Sequence, residues 1–395
     1  VERVDRVLRE ELGVADGLAD ESVWVLDPCC GTGSYLVAVL DRIRRTLAAR
    51  GMGDLLAEAM RRAATTRVVG FEIMPAPFVI AHWQVGEALR GVQAHLREGE
   101  RAAVYLTNAL TGWDADEKLG SLEGAFAALA AEREEARRVK QRRPILVVLG
   151  NPPYNAFAGT SPESEGGLVE PYKAGLNTTW GVRKFNLDDL YVRFFRIAER
   201  RIAEVTGRGV ICFISNSSWL SGASYVVMRQ SMLESFDAIW VDNLNGDSRE
   251  TGKLTPGGKP DPSVFSTPFN REGIRVGTAI STMVRRGARS NRAAPAVVRY
   301  REFWGERKRE DLVASLEPPS TSDTAKLVCM SPDRGNRLSF RTKVEQTDFA
   351  MWTSVPSLSR IAPINGMMEK RGGALMDTDR ERLTARLEAY LDNTR

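Results

Sequence analysis

The chain has 395 residues, of which 43% are apolar and 27% are charged, and its formal net charge is +4. This length and composition suffice for one large folded domain and a smaller part. No apolar run approaches the length of a membrane span, and the chain does not start with a signal segment, so we expect neither a membrane protein nor an exported one. The four cysteines have no zinc-ligand spacing, so no metal site is expected.

The first predicted elements are a strand over 23–26, a glycine-rich bend and a helix over 36–50. Gly31 and Gly33 in the bend allow a ligand to approach the backbone, and the helix start offers free amide groups. Position 36 is leucine, so the third glycine of a dinucleotide fingerprint is missing, and no Gly-Lys-Ser/Thr phosphate loop follows. The pattern predicts a site for an adenosine-like ligand and argues against hydride transfer and ATP hydrolysis.

Two further predicted strands end in polar residues. The strand over 67–71 runs into Glu72, and the strand over 103–106 runs into Thr107 and Asn108. A carboxylate at the end of the second strand is well placed to bind ribose hydroxyls. Asn108 can form hydrogen bonds with a purine edge. Both positions agree with the adenosine-like ligand predicted from the bend.

The most informative segment is Asn151-Pro152-Pro153-Tyr154, which follows the apolar run 145–149. Two prolines hold the backbone extended, so Asn151 and Tyr154 project from a rigid loop at the end of a buried strand. The asparagine oxygen and a neighbouring carbonyl are acceptors for an exocyclic amino group, and the aromatic ring is a stacking surface. The segment therefore predicts a site that holds an aminopurine or aminopyrimidine, although a proline-rich turn without function has the same local sequence.

The alternation of strands and helices predicts an α/β fold with a doubly wound, mostly parallel seven-stranded sheet and ligands at its carboxyl edge. The expected strands begin near Val23, Arg67, Ala103, Ile145, Gly209, Ala238 and Ile274. We interpret residues 117–143 as a solvated amphipathic insertion. Two long irregular segments, 155–186 and 245–272, are expected to frame a binding cleft.

The order of these motifs resembles the γ-class amino-methyltransferases that methylate N6 of adenine in DNA with S-adenosylmethionine. The resemblance rests on residues 27–34, 71–73, 107–110 and 150–154, and it continues at 186–191 and 207–216. Residues 252–265 and 369–375 are more narrowly similar to the methylase part of type ISP restriction-modification enzymes. The resemblance implies a Rossmann-like, S-adenosylmethionine-dependent methyltransferase fold, with the last predicted strand, over 273–283, as the antiparallel hairpin partner at the edge of the sheet.

The resemblance also implies site residues and their roles. The implied catalytic residues are Asn151, Pro152, Pro153 and Tyr154. The implied cofactor-binding residues are Asp27, Pro28, Cys29, Gly31, Gly33, Glu72, Ile73 and Asn108. Weaker implied members of the base pocket are Asp189, Tyr191 and Asn216. In this mechanism the Asn151 oxygen and the Pro152 carbonyl accept the amino protons of an adenine that has swung out of the duplex.

A cluster of basic residues between positions 285 and 309 is a candidate for contacts with the DNA backbone. Its leading members are Arg285, Arg286, Arg289, Arg292 and Arg299. A solvated linker around a buried aromatic cluster would have the same composition.

The expected organisation is a methyltransferase domain over 1–293 and, over 294–395, a linker with the beginning of a target-recognition region. We expect a cytoplasmic, nucleoid-associated prokaryotic protein that binds double-stranded DNA and no membrane, with nuclease or helicase parts in the same defence system. The family's aromatic-Thr-Pro segment is missing upstream, so we expect a piece of a larger enzyme. Alternatives are methylation of cytosine N4, protein glutamine or RNA, and a non-catalytic DNA-binding subunit of a defence complex.

Overall fold

The computed structural model describes residues 1–53, 55–113, 127–154, 165, 167–287, 294–316, 327–341, 353, 357 and 377–392. Its strands are β1 (Trp24–Asp27), β2 (Val68–Glu72), β3 (Val104–Leu106), β4 (Ile145–Gly150), β5 (Gly209–Asn216), β6 (Ala238–Asn245), β7 (Thr278–Arg285), β8 (Val297–Glu302) and β9 (Val328–Met330). Its helices are α1 (Glu2–Glu10), α2 (Ser34–Ala49), α3 (Leu55–Arg62), α4 (Pro75–Arg90), α5 (Ala127–Arg142), α6 (Glu170–Lys173), α7 (Leu190–Glu199), α8 (Val226–Ser235), α9 (Lys308–Ala314) and α10 (Arg380–Leu391).

The strands form a single mixed sheet in the order β3-β2-β1-β4-β5-β7-β6-β8-β9. Strands β1 to β5 pair in parallel, β7 is antiparallel to both of its neighbours, and β8 is parallel to β6. The α/β fold with a mostly parallel sheet is therefore confirmed. The predicted strand number was wrong, because the sheet has nine strands in the described part of the chain rather than seven.

Helices cover both faces of the sheet, as the doubly wound prediction requires. Successive residues of a strand point to opposite faces, so Ile239 and Val241 of β6 enter one apolar cluster while Ala238 and Trp240 enter the other. The first cluster is completed by α5, α7 and α8, and the second by α1 to α4. This double coverage explains why the parallel strands are nearly continuous runs of aliphatic residues.

The position of β7 differs from the prediction. It was expected at an edge, but it lies between β5 and β6, pairs with β5 over its full length and pairs with β6 from Thr278 to Val284. In the described residues β3 and β9 are the edge strands. A long connection from β6 allows the chain to reverse and insert β7 into the gap, and the local sequence carries no signal for that choice.

The sheet extends past the predicted domain boundary at residue 293. Strand β8 pairs with β6, and β9 pairs with β8, so the sheet continues beyond residue 294. The first compact unit runs from Val1 to Thr342. Val298, Tyr300 and Arg301 of β8 are buried, so this segment is a packed strand, whereas its two arginines indicated a linker.

The second compact unit runs from Lys343 to Arg395. It contains α10, whose first turn is capped by the Asp379 side chain, which accepts hydrogen bonds from the backbone amides of Glu381 and Arg382. Residues 369–375, which carry part of the predicted resemblance, lie outside the described residues. None of the helices in the described part of the chain is long and apolar enough to cross a membrane.

Candidate functional site

A cleft of about 440 Å³ lies at the carboxyl ends of the first four parallel strands. The loops that follow β1, β2, β3 and β4 all contribute to it, together with the first turns of α7. Its lining residues are Pro28, Cys29, Phe71, Glu72, Ile73, Met74, Thr107, Asn108, Ala109, Leu110, Asn151, Pro153, Leu190 and Phe194. Motifs that are separated by more than a hundred residues in the sequence are thus brought to one site, at the edge where α/β sheets bind ligands.

The glycine-rich bend after β1 depends on left-handed backbone at two positions. Gly31 has φ +54° and Gly33 has φ +89°, a region that side chains other than glycine rarely adopt. At Gly33 an added Cβ would also lie 3.1 Å from the backbone of Ala81 in α4, so the glycine permits close helix packing. At Gly31 an added Cβ would meet open space. Gly31 is therefore the position where a ligand can approach this backbone.

Asp27 lies beneath the bend and is fully buried. Its Oδ1 accepts a hydrogen bond from the Cys29 amide at 3.0 Å, while Oδ2 has no partner among the described residues. Burial raises the pKa of Asp27 to about 7. A Cβ at Gly150 would lie 2.6 Å from Oδ1, so the glycine at the end of β4 makes room for this carboxyl group.

Glu72 organises the loops around it through its carboxylate. One oxygen accepts the Gly31 amide at 2.9 Å, and the other accepts the Ile73 and Met74 amides, each at 2.8 Å. A carboxylate has about four acceptor positions, so three amides leave room for one further donor. Glu72 thereby ties the bend after β1 to the loop after β2.

Asn108 is held by its own loop and by a residue that the sequence interpretation missed. Its side-chain oxygen accepts the Leu110 amide at 2.9 Å, and its carbonyl accepts a hydrogen bond from Lys140 at 2.7 Å. The Lys140 amine also donates to Thr107 Oγ1 at 3.0 Å and to the Thr111 carbonyl at 2.9 Å. This buried lysine therefore fixes the whole loop after β3.

Lys140 corrects the interpretation of residues 117–143 as a solvated insertion. Residues 114–126 lie outside the described part, but the end of α5 buries Ala136, Val139 and Lys140 against the sheet. Ala136 and Lys140 are four residues apart and share a face of the helix. The spacing of Lys140 from a small apolar residue was the available sign that this face of the helix is buried. The many charged neighbours made the whole helix look exposed.

The Asn151–Tyr154 loop leaves β4 at the mouth of the cleft. Asn151 is exposed and Pro152 is buried, so the loop is anchored at its second residue and presents the asparagine outward. The Tyr154 hydroxyl donates a hydrogen bond to Asn151 Oδ1 at 2.8 Å. Burial raises the pKa of Tyr154 above its usual value, so the phenol stays protonated and remains a donor near neutral pH. Asn151 and Pro153 line the cleft, whereas Tyr154 stands beside it.

The three weaker base-pocket residues do not line this cleft. Asp189 precedes α7, and its Oδ2 accepts a hydrogen bond from Tyr225 at 3.3 Å. Tyr191 is completely buried in the core. Asn216 caps a short helical turn by accepting the Ser218 amide at 2.8 Å. The residues of α7 that line the cleft are Leu190 and Phe194, which lie about one helical turn apart. Tyr191 is on a different face of the helix and points into the core.

Three of the arginines predicted to contact DNA are described by the structure, and none of the three lines the cleft. Arg285 pairs with Gly209, the first residue of β5, so the antiparallel direction of β7 places it at the opposite edge of the sheet. Arg286 forms an ion pair with Glu11, and Arg299 stacks over the Trp240 ring at 5.7 Å. Arg289 and Arg292 lie outside the described residues. Arg285 and Arg286 therefore lie away from the cleft and Arg299 lies within β8, and a contact of these residues with the DNA backbone stays a prediction.

The cysteines are free, and the described residues contain no group of side chains suited to hold a metal ion. Burial raises the pKa of the Cys29 thiol well above its ordinary value. The thiol in the cleft wall is therefore protonated at neutral pH and is a poor nucleophile.

Residues 113–248 match the family model described as Eco57I restriction-modification methylase. This range includes the Asn151–Tyr154 loop and the start of α7. Comparison with the curated proteins gave no match.

Three solved structures share the fold with TM-scores above 0.6. The DrdV–DNA complex has a TM-score of 0.64 at 22% identity, over 88% of this chain and 31% of that one. The ATP-dependent type ISP restriction-modification enzyme LlaBIII bound to DNA has a TM-score of 0.62 at 24% identity, over 79% and 20%. A nuclease-deletion mutant of the type ISP enzyme LlaGI in complex with a DNA substrate mimic has a TM-score of 0.66 at 23% identity, over 85% and 26%.

The chain spans less than a third of the length of each of these three proteins, and at these identities the likeness concerns the fold. The motifs at the carboxyl edge and the match to the family model both indicate a methylase. Residues 113–248 thus match the Eco57I restriction-modification methylases, on a fold shared with type ISP enzymes, which confirms the resemblance predicted from the motifs.

Proposed function

We propose that the protein is a site-specific DNA methyltransferase that transfers a methyl group from S-adenosylmethionine to N6 of adenine, within a restriction-modification or related phage-defence system. The family match supports the methylase activity. The observation that carries the proposal is the position of Asn151, on a proline-fixed loop at the mouth of a cleft whose other walls are the predicted cofactor loops.

The cleft residues fit S-adenosylmethionine, which when bound supplies an electrophilic methyl group on sulfur. Gly31 leaves open space at the bend, and the free Oδ2 of Asp27 is a buried acceptor that an amino group would satisfy. The remaining acceptor position of Glu72 suits a ribose hydroxyl. Asn108 and the apolar Ile73 suit the edge and the face of the adenine. In this proposal Pro28 and Cys29 form the floor between these groups.

Asn151 is the proposed catalytic residue. The lone pair of an adenine amino group is delocalised into the ring, so the nitrogen is a poor nucleophile. Asn151 Oδ1 and the Pro152 carbonyl accept hydrogen bonds from the two N–H groups of this amino group. These hydrogen bonds make the nitrogen lone pair more available to the electrophilic methyl group. These acceptors gain most as positive charge develops on the nitrogen, so the fixed dipoles stabilise the transition state more than the ground state.

Tyr154 is the proposed stacking surface for the target base. Within a duplex the amino group is hidden, so the base must leave the helix before Asn151 can reach it. A protonated phenol presents an uncharged aromatic face to the base. The proposed partner is therefore double-stranded DNA, and two of the three fold neighbours are bound to DNA and the third to a DNA substrate mimic.

The test is mass spectrometry of nucleosides from the DNA of cells that express the gene. We expect N6-methyladenine from the wild type and none from Asn151→Ala, while Asn177→Ala, a change at an exposed asparagine that does not line the cleft, keeps the signal. N4-methylcytosine, methylated RNA or methylated protein glutamine in place of N6-methyladenine would identify the competing substrate. Absence of all these products would favour a non-catalytic DNA-binding subunit.

A further inference from the structure

The connection from β6 to β7, residues 246–277, leaves the sheet at the same edge as the candidate site. It starts after Asn245 and ends before Thr278, which pairs with the last residues of both β5 and β6. Strand β6 is the third strand from β4 in the sheet, which is roughly 14 Å at the usual spacing between neighbouring strands. The connection therefore leaves the sheet at the same edge as the Asn151 loop.

The base of the connection is rigid. The buried Asp261 carboxylate accepts the backbone amides of Gly246 at 2.8 Å and Gly305 at 2.6 Å, and it forms an ion pair with Lys308 at 2.7 Å. Asp247 accepts the amide of Gly277 at 2.9 Å near the other end. Both ends of the connection are thus fixed to the sheet.

A tight turn projects from this base. The backbone groups of Thr267 and Asn270 form two hydrogen bonds with each other, at 2.9 and 3.1 Å. Asn270 Oδ1 accepts the Gly273 amide at 3.0 Å, and Thr267 Oγ1 accepts the Asn270 amide at 2.9 Å. The two central residues of the turn are Pro268, with its fixed φ, and Phe269. The turn is therefore held by its own polar groups rather than by burial of its aromatic residue.

Phe269 is the most exposed large apolar side chain of the described residues, with a relative exposure of 102%. Every residue from Thr267 to Glu272 is exposed as well. The same connection carries four exposed cations, Arg249, Lys259, Arg271 and Arg275, and the last of them forms an ion pair with Glu272. A fully exposed aromatic ring on a preformed turn, on a segment with exposed cations, suits insertion between stacked bases.

We propose that Phe269 is a wedge that enters the DNA stack at the gap left by the target adenine. This inference rests on the proposed function and deepens it. Removal of a base from a duplex leaves an apolar gap, and an aromatic side chain that fills it stabilises the opened state against return of the base. The exposed cations contact phosphates on either side, which positions the turn but carries no sequence information. Phe269 thus acts on extrusion of the base, whereas Asn151 acts on methyl transfer.

The test separates these two roles. The methylated site is first mapped by sequencing DNA from cells that express the full-length protein. Two duplexes containing that site are then compared, one with the target adenine opposite thymine and one with it opposite an abasic position, where extrusion requires little energy. The variants are Phe269→Ala, Phe269→Leu and Asn151→Ala. Val205→Ala is the matched control, because this exposed apolar residue precedes β5 and lies at the opposite edge of the sheet.

For Phe269→Ala we expect kcat/KM on the paired duplex to fall by roughly tenfold or more, and to return to within about threefold of wild type on the abasic duplex. Phe269→Leu keeps an apolar wedge and retains most of the activity, and Val205→Ala matches the wild type. The fluorescence of 2-aminopurine at the target position should rise on binding of the wild type and much less with Phe269→Ala.

Two results overturn the wedge. One is wild-type activity of Phe269→Ala on the paired duplex, which would indicate that Phe269 contacts another protein instead of DNA. The other is a loss of activity that the abasic duplex does not rescue. A wild-type protein that methylates neither duplex would instead overturn the proposed function. Asn151→Ala should remain inactive on both duplexes, so the two roles fail in different ways.

Discussion

The Tyr154 hydroxyl donates a hydrogen bond to Oδ1 of Asn151, at 2.8 Å. This oxygen is the acceptor assigned to the amino group of the target adenine. The phenol therefore occupies the place of the substrate donor and holds the amide oxygen towards the site. When a base arrives, its amino group replaces one hydrogen bond with another, so the amide group does not have to reorient from a random position.

Substitutions of Tyr154 separate the ring from the hydroxyl. Tyr154→Phe keeps the stacking surface and loses only the bond to Asn151, so we expect kcat/KM within about fivefold of wild type. Tyr154→Ala also loses stacking, which is worth on the order of 1–3 kcal/mol. Steady-state kinetics on a duplex that contains the mapped site measures both. Equal losses for Phe and Ala would show that the hydroxyl, rather than the ring, captures the base.

Asn151→Ala should nearly abolish methyl transfer and leave S-adenosylmethionine binding almost unchanged. The side chain lines the mouth of the cleft, and its assigned contact is with the base. Isothermal titration with the cofactor, beside single-turnover methylation, checks both halves of this prediction. A large loss of cofactor affinity would show that the asparagine belongs to the cofactor site instead.

Asp27→Asn should stabilise the fold, and the gain should increase with pH. Burial raises the pKa of Asp27 to about 7 from an ordinary 3.8. The folded chain holds this proton more tightly than the unfolded chain, so stability falls as pH rises from about 4 to about 7. The asparagine does not ionise, so its advantage should be larger at pH 8 than at pH 5 by roughly 2–3 kcal/mol.

Urea unfolding at the two pH values measures this difference. Asp41→Asn is the control, because hydrogen bonding to Arg44 lowers the pKa of Asp41 and the sign of the effect is reversed. An advantage of Asp27→Asn that does not change with pH would contradict the assignment. The same variant should bind the cofactor less tightly, because the amide group is a weaker acceptor than a carboxylate.

Lys140→Met should loosen the loop after β3. The change leaves the carbonyls of Asn108 and Thr111 without their donor, which lowers the free energy of unfolding by about 2–3 kcal/mol. Because the loop is also a wall of the cleft, the dissociation constant of the cofactor should rise while kcat at saturation changes little. Arg138→Met, on the exposed face of the same helix, is the control. Lost stability with unchanged cofactor affinity would restrict Lys140 to a structural role.

A chain that ends at residue 293 should fold less stably than one that ends at residue 342. The shorter chain lacks Lys308 and leaves the buried Asp261 carboxylate without its ion-pair partner. Lys308→Met in the full chain should lower the free energy of unfolding by about 3–5 kcal/mol, and Lys259→Met, at an exposed position, should not. Thermal unfolding of these four proteins tests the boundary. Equal stability of the two truncated chains would restore the predicted boundary at 293.

The sequence was sufficient where a residue type is tied to a local conformation. The bend after β1 could be predicted from Gly31 and Gly33, which have left-handed backbone, and the rigid loop after β4 from Pro152 and Pro153. The short aliphatic runs were enough to predict the parallel strands. Because parallel strands end at one edge, the residues that follow them also meet there. Convergence of Glu72, Asn108 and Asn151 on one cleft was therefore predictable from the order of the elements.

The rest depends on long-range pairing. Lys140 and Lys308 are buried lysines, and in a sequence they look like solvated charges, since only their tertiary acceptors explain their burial. The arginines at 285 and 286 looked like a phosphate-binding cluster until the direction of β7 placed them at the opposite edge. Likewise, Leu190 lines the cleft while the next residue of α7, Tyr191, lies in the core, and the sequence does not distinguish the two.

The insertion of β7 between β5 and β6 also constrains the order of assembly during synthesis. Strand β6 has β7 and β8 as its neighbours, and both follow it in the chain. A nascent chain that has emerged only to residue 277 therefore holds β6 with no strand beside it, and β5 with one open edge. Such exposed strand edges favour aggregation. The sheet becomes continuous only when the β7 segment has left the ribosome, so a pause in translation that holds residue 277 at the ribosome exit should lower the yield of folded protein.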